Sequence, residues 1–124
     1  MIYTTIERWI YVPNTQQDTA EKELKPVYQY DSDVEIKVEM STQIEQEDMR
    51  SLALAVGFKG APQPLDVFKI PERGTLYIPS QYLISGRDLV LCVLAEDDGG
   101  TRKTLARYIL PVTPSFKIPD AKEA

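Results

Sequence analysis

The chain has 124 residues, 43% of them hydrophobic and 27% charged, with 14 basic against 19 acidic side chains and a net charge of −5. That is the length of one domain, with enough apolar residues to close one core and too many for a disordered chain. There is no histidine and only one cysteine. Those absences remove the commonest general base and metal ligand and exclude an intramolecular disulfide or a cysteine-built zinc site, while the acidic balance excludes a phosphate-neutralising nucleic-acid face.

Residues 1–12 read as an extended strand. Ile2, Thr4, Ile6, Arg8, Ile10 and Val12 share one parity, and Tyr3, Thr5, Glu7, Trp9 and Tyr11 the other. The segment lacks the basic start and apolar run of a signal peptide, so synthesis in a cytoplasm without a signal is expected. The one candidate helix, residues 15–24, has only Ala20 and Leu24 as apolar positions, and a polar loop is expected instead. Val34-Glu35-Ile36-Lys37-Val38-Glu39-Met40 alternates apolar and charged residues without error, the mark of a strand with one dry and one wet face. Residues 51–59 alternate as well, with Leu52, Leu54, Val56 and Phe58 on one side. The polar stretch 41–50 between them makes the whole read as a long hairpin. Residues 65–68 and 76–78 are shorter strands bounded by Pro64, Pro71, Gly74 and Pro79, and Ser80 is placed to cap a single helical turn.

Residues 89–95 are apolar on both faces, as in a strand covered from both sides. Glu96-Asp97-Asp98-Gly99-Gly100 has the composition of a tight turn, and a strand returns through residues 104–112. Residues 113–124 have little to bury and read as a tail. Nine prolines and six glycines argue against long helices. The longest apolar run, residues 89–95, is too short to cross a membrane as a helix. The pattern predicts an all-β fold, an antiparallel β-sandwich of about six to eight short strands over residues 1–112.

Few constellations carry chemistry. Asp31, Asp33 and Glu35 are spaced like the first ligands of a calcium loop, but Ile36 and Thr42 stand where that loop needs glycine and a bidentate glutamate. A turn followed by the wet face of a strand is the expected reading, and Asp97 and Asp98 read as turn residues. Cys92 lies within the most apolar strand, without a histidine to activate it, and reads as core packing. Arg102, Lys103 and Arg107 are solvated strand charges or a small anion contact. No phosphate-binding loop, dinucleotide fingerprint or nucleophile elbow occurs. The expectation is a protein that is not an enzyme, with no catalytic residues, no cofactor and no metal. Trp9 is left with three roles: core packing, contact with another subunit, or stacking on a ligand such as a sugar.

From residue 76 the chain runs Leu76-Tyr77-Ile78-Pro79-Ser80-Gln81-Tyr82-Leu83, then Gly86-Arg87-Asp88, the apolar strand, Gly99-Gly100-Thr101, and Tyr108-Ile109-Leu110-Pro111-Val112. This succession resembles the small immunoglobulin-like sandwich domains of tailed-phage virions, found at the amino-terminal ends of baseplate and tail-fibre proteins and in head fibres. It covers about a third of the chain and brings no catalytic or binding residues with it. The resemblance implies an immunoglobulin-like or jelly-roll-like sandwich in a structural or adaptor protein of a virion. Such a protein, in the baseplate, tail, head fibre or capsid decoration, is made in the host cytoplasm. Its partners are other virion proteins or copies of itself, with no nucleic acid and no membrane. A carbohydrate- or host-receptor-binding module using exposed Trp and Tyr is the alternative.

The strand at residues 89–95 sharpens the partner question. Leu89, Leu91 and Val93 face one way and Val90, Cys92 and Leu94 the other, and one sandwich core cannot take both sets. The second face requires cover, either from the N-terminal segment around Trp9 or from a neighbouring subunit, with residues 1–12 suited to strand exchange. The candidate interface residues are therefore Tyr3, Trp9, Tyr11, Val90 and Leu94.

Overall fold

The computed structural model describes residues 8–12, 22–40, 52–71, 73–96 and 102–116. Ten strands run through them: β1 (Trp9–Val12), β2 (Lys22–Glu23), β3 (Val27–Tyr28), β4 (Val34–Met40), β5 (Leu52–Phe58), β6 (Asp66–Lys69), β7 (Thr75–Ile78), β8 (Leu89–Glu96), β9 (Arg102–Leu110) and β10 (Val112–Thr113). The protein is all-β and sandwich-like. One sheet has the order β1-β4-β7, the other β2-β9-β8-β5-β6, and β3 pairs separately with β10. The strand count exceeds the expected one because β2, β3 and β10 are two-residue pairings in segments without alternation.

The alternation in sequence becomes the inside and outside of the sheets. Val34, Ile36 and Val38 of β4 are buried, as are Leu52, Leu54 and Val56 of β5 and Leu89, Leu91 and Val93 of β8. With Ile10 and Val12 of β1, and Tyr108 and Leu110 of β9, they form one core between the sheets. Each such aliphatic side chain contributes about 1.5–3 kcal/mol relative to exposure. Pro79 ends β7, and Leu83 plugs the sandwich end with no exposed surface. Gly86, at φ +69°, then turns the chain into β8.

Three expectations are corrected. Residues 34–58 do not form a hairpin: β4 lies in the three-stranded sheet and β5 in the five-stranded one. Both strands have a dry face, but those faces reach the core from opposite sides, which alternation does not reveal. The sheets are also not purely antiparallel. β4–β7, β5–β6, β5–β8 and β8–β9 are antiparallel, whereas β1–β4, β2–β9 and β3–β10 are parallel. Between β1 and β4 the chain visits the other pairings through β2 and β3, then re-enters its first sheet in the original direction, as a parallel pair requires. Finally, Ser80 caps nothing with its side chain. Ser80–Tyr82 is one 3-10 turn, held by Tyr82 N–H to the Pro79 carbonyl and Leu83 N–H to the Ser80 carbonyl.

The β8–β9 hairpin is present, in register from Leu89↔Leu110 to Glu96↔Arg102, with a register shift between Val93 and Leu94. Its turn, with Asp97 and Asp98, lies outside the described residues, as do residues 1–7 and 13–21. The ends of the molecule are tied by side chains. Arg8, buried at the start of β1, donates from Nε to the Lys25 carbonyl at 2.8 Å and from Nη2 to the Pro26 carbonyl at 2.7 Å. Asp88 accepts the Val112 N–H at 3.0 Å through its carboxylate, and its carbonyl accepts the Lys59 N–H at 2.9 Å. Gln29 donates to the Ile84 carbonyl and accepts the Ser115 N–H. Ordered pairing thus passes the expected boundary at residue 112, because Thr113 belongs to β10.

Candidate interaction faces

Each sheet has one face in the core and one turned outward. On the three-stranded sheet, the parity that buries Ile10, Val12, Val34, Ile36 and Val38 turns Trp9, Tyr11, Glu35, Lys37 and Glu39 outward. Tyr77 of β7 joins them. The register sets three rows across this face: Glu35 opposite Tyr77, Lys37 between Thr75 and Trp9, and Glu39 beside Tyr11. The Val38 N–H bonds the Gly74 carbonyl at 2.7 Å, so Val38 and Gly74 are a hydrogen-bonded pair. Counting along the ladder, Glu35 and Tyr77 are a non-hydrogen-bonded pair, the kind whose side chains approach most closely. In the middle row the Lys37 ammonium lies 5.0 Å from the centroid of the Trp9 ring, within the range of a cation–π contact.

Trp9 is 45% exposed, Tyr11 49% and Tyr77 59%. Of the three roles open to Trp9, core packing is therefore excluded. The aromatic character of the face was visible in Trp9 and Tyr11. The contribution of Tyr77 was missed, because nothing in the local sequence says that β7 lies beside β4.

The outer face of the five-stranded sheet is different in kind. It presents Ala53 and Ala55 of β5, Val67 of β6, Val90, Cys92 and Leu94 of β8, and Arg107 and Ile109 of β9. Cys92 stands on this face, half-buried and opposite Arg107, rather than in the core cluster. That corrects the core-packing expectation: in the alternation it falls opposite Leu91 and Val93. Val90 is 8% exposed within the single chain. Its register partner is Gly57, and Pro64 closes over that glycine so tightly that a Cβ there would lie 3.3 Å from the Pro64 Cα. Part of the cover expected from elsewhere is thus local, supplied by the loop after β5. Leu94 is half-buried.

The candidate interface residues do not form one surface. Trp9 and Tyr11 lie on the outer face of the three-stranded sheet, and Val90 and Leu94 on the outer face of the five-stranded sheet, with the core between them. Residues 8–12 therefore do not cover the outer side of β8, as had been one of the expected solutions. Tyr3 lies outside the described residues.

The polar candidates take structural positions. Asp31 accepts the Tyr28 N–H at 2.9 Å in the turn before β4, a turn in which Tyr30 and Asp33 have positive φ. Arg107 is exposed on β9. Among the described residues no group of three acidic or thiol side chains is arranged to hold a metal, and no helix is long and apolar enough to cross a membrane. Burial pushes the Arg8 guanidinium below its ordinary value, and the negative charge of Asp31 opposes that shift. Comparison with protein-family models produces no match, and comparison with curated proteins produces none either.

Proposed function

We propose that this protein is a non-enzymatic structural or adaptor component of a tailed-phage virion. It would be a small immunoglobulin-like or jelly-roll-like sandwich, made in the host cytoplasm, that binds other virion proteins or copies of itself. The observation that carries the reading is the pair of unlike outer faces on opposite sides of one small core. One holds a small apolar patch of half-buried Ala53, Ala55, Cys92 and Leu94, flanked by exposed Lys69 and Arg107; the other is aromatic and charged around Trp9, Tyr11 and Tyr77. A module joining two different neighbours needs two such surfaces, and an exposed apolar patch is a usual mark of a protein contact. The resemblance of residues 76–112 to phage sandwich domains supplies the setting.

The test is co-sedimentation. An antibody against the chain should detect it in phage particles banded on a density gradient, in a constant ratio to the major capsid protein. Recovery only in the soluble fraction at the top of the gradient would overturn the proposal. The exposed rings of Trp9, Tyr11 and Tyr77 also favour a second reading, a carbohydrate- or receptor-binding module, and a glycan array separates the two. Saturable glycan binding that is lost on Trp9→Ala would favour the module.

A further inference from the structure

On the outer face of the three-stranded sheet, the two flanking rows repeat one chemistry. The middle row already holds a cation on a ring, the Lys37 ammonium 5.0 Å from the centroid of Trp9. The rows on either side each place a carboxylate next to an exposed tyrosine ring, Glu35 with Tyr77 and Glu39 with Tyr11. A carboxylate and the negative face of an aromatic ring both attract a guanidinium or ammonium group, and neither attracts an anion. Glu35 and Glu39 stand four residues apart on one strand, so the two pairs are separated by about 13 Å. Side chains four apart on an extended segment point the same way and span the same distance.

We infer that this face docks an extended polypeptide segment carrying two basic side chains four residues apart, one for the Glu35–Tyr77 pair and one for the Glu39–Tyr11 pair. The argument for this occupant is charge complementarity. The broadest ring of the face, Trp9, already carries the Lys37 ammonium, which counts against a sugar that must stack on it, and the two basic side chains fall on the rows either side of that cation. The inference rests on the reading that the protein acts through its sheet faces, and it names the partner of one of them.

The experiment uses labelled synthetic peptides in an uncharged serine–threonine background, with two arginines spaced four apart or three apart. Binding is read by peptide anisotropy and by the emission of Trp9, the single tryptophan of the chain. The four-apart peptide should bind saturably, weaken as salt is raised, and bind at least tenfold more tightly than the three-apart peptide. The double substitution Glu35→Gln with Glu39→Gln should cost tenfold or more, with an unchanged circular dichroism spectrum. Glu23→Gln, on the other sheet, should leave binding as it was. Equal binding by the double variant, or indifference to spacing, overturns the inference, as does a Trp9 response to polysaccharide but to neither peptide. If the double variant still enters particles normally and binds peptide normally, the docking inference fails and the virion reading stands. If the chain never enters particles yet discriminates the peptides as described, the virion reading fails and the docking surface stands.

Discussion

Gly74 holds a backbone that no other residue could hold without cost. Its φ is +70°, and a Cβ there would lie 2.4 Å from the Val38 carbonyl oxygen, the backbone against which β7 begins. Gly60, at φ +84°, has open space around the same position. Gly74→Ala should therefore destabilise by about 3 kcal/mol, combining a left-handed conformation with a clash, while Gly60→Ala should cost only about 1 kcal/mol. Thermal unfolding should show the first falling by roughly 10 °C or more and the second by a few degrees. Asp66 is a second position with two duties. Its Oδ1 accepts the Val67 N–H and its Oδ2 accepts the Tyr82 hydroxyl at 2.9 Å. The bond to Asp66 raises the Tyr82 pKa above its ordinary 10.0, because the phenol donates only while protonated. A raised folded pKa gives stability that is complete below the unfolded value and lost as the pH climbs through the folded one. An absorbance titration at 295 nm should show a late tyrosine component that Tyr82→Phe removes. The advantage of wild type over that variant should shrink only above about pH 10.

At the scale of elements, the sheet edges are guarded by side chains. β1 is an edge strand, and its Tyr11 has both backbone groups satisfied by one phenol. The Tyr11 N–H donates to the Tyr108 hydroxyl oxygen at 3.1 Å, and that hydroxyl lies 3.3 Å from the Tyr11 carbonyl it donates to. Tyr108 reaches across from β9, so this contact joins the two sheets as well as covering an edge. Tyr108→Phe keeps the ring in the core and removes only the bridge. Its expected cost is about 1–2 kcal/mol. Hydrogen exchange should locate the loss in β1, with the Tyr11 amide exchanging faster and the β5 and β8 amides following only the global change. At the other end of the five-stranded sheet, β6 is four residues long, and Asp66 occupies one of its donors. Short, capped edges keep a sheet from pairing where it should not.

For the whole molecule, the decisive fact is that its two outer faces do not resemble each other. Val90 and Leu94 share a strand face but have different environments, and substitution separates them. Val90→Glu puts a carboxylate at a position already buried in the single chain and should cost about 3 kcal/mol or more, a fall of roughly 10 °C in Tm. Leu94→Glu, at a half-buried position, should cost about 1 kcal/mol and keep the fold. If the apolar face contacts a neighbour, Leu94→Glu should also abolish concentration-dependent sedimentation. An unchanged profile would take the apolar face out of any self-contact.

Much of this was legible in one dimension. A period of two told which residues of β4 and β5 turn inward, because successive side chains of an extended strand must point to opposite sides. The apolar character of both β8 faces also came from composition, but not which of the two meets the core. Which strand lies beside which did not, because pairing depends on contacts between distant segments, to which a local period is blind. Hence β4 and β5 read as a hairpin yet belong to different sheets, and Cys92 read as core yet stands on the outside. The aromatic face followed the same rule. Trp9 and Tyr11 were visible as one parity of one strand, but the Glu35–Tyr77 and Glu39–Tyr11 pairs join residues 42 and 28 positions apart. Only the tertiary structure decided that they are neighbours, because only the closing of the core sets the register that brings them side by side.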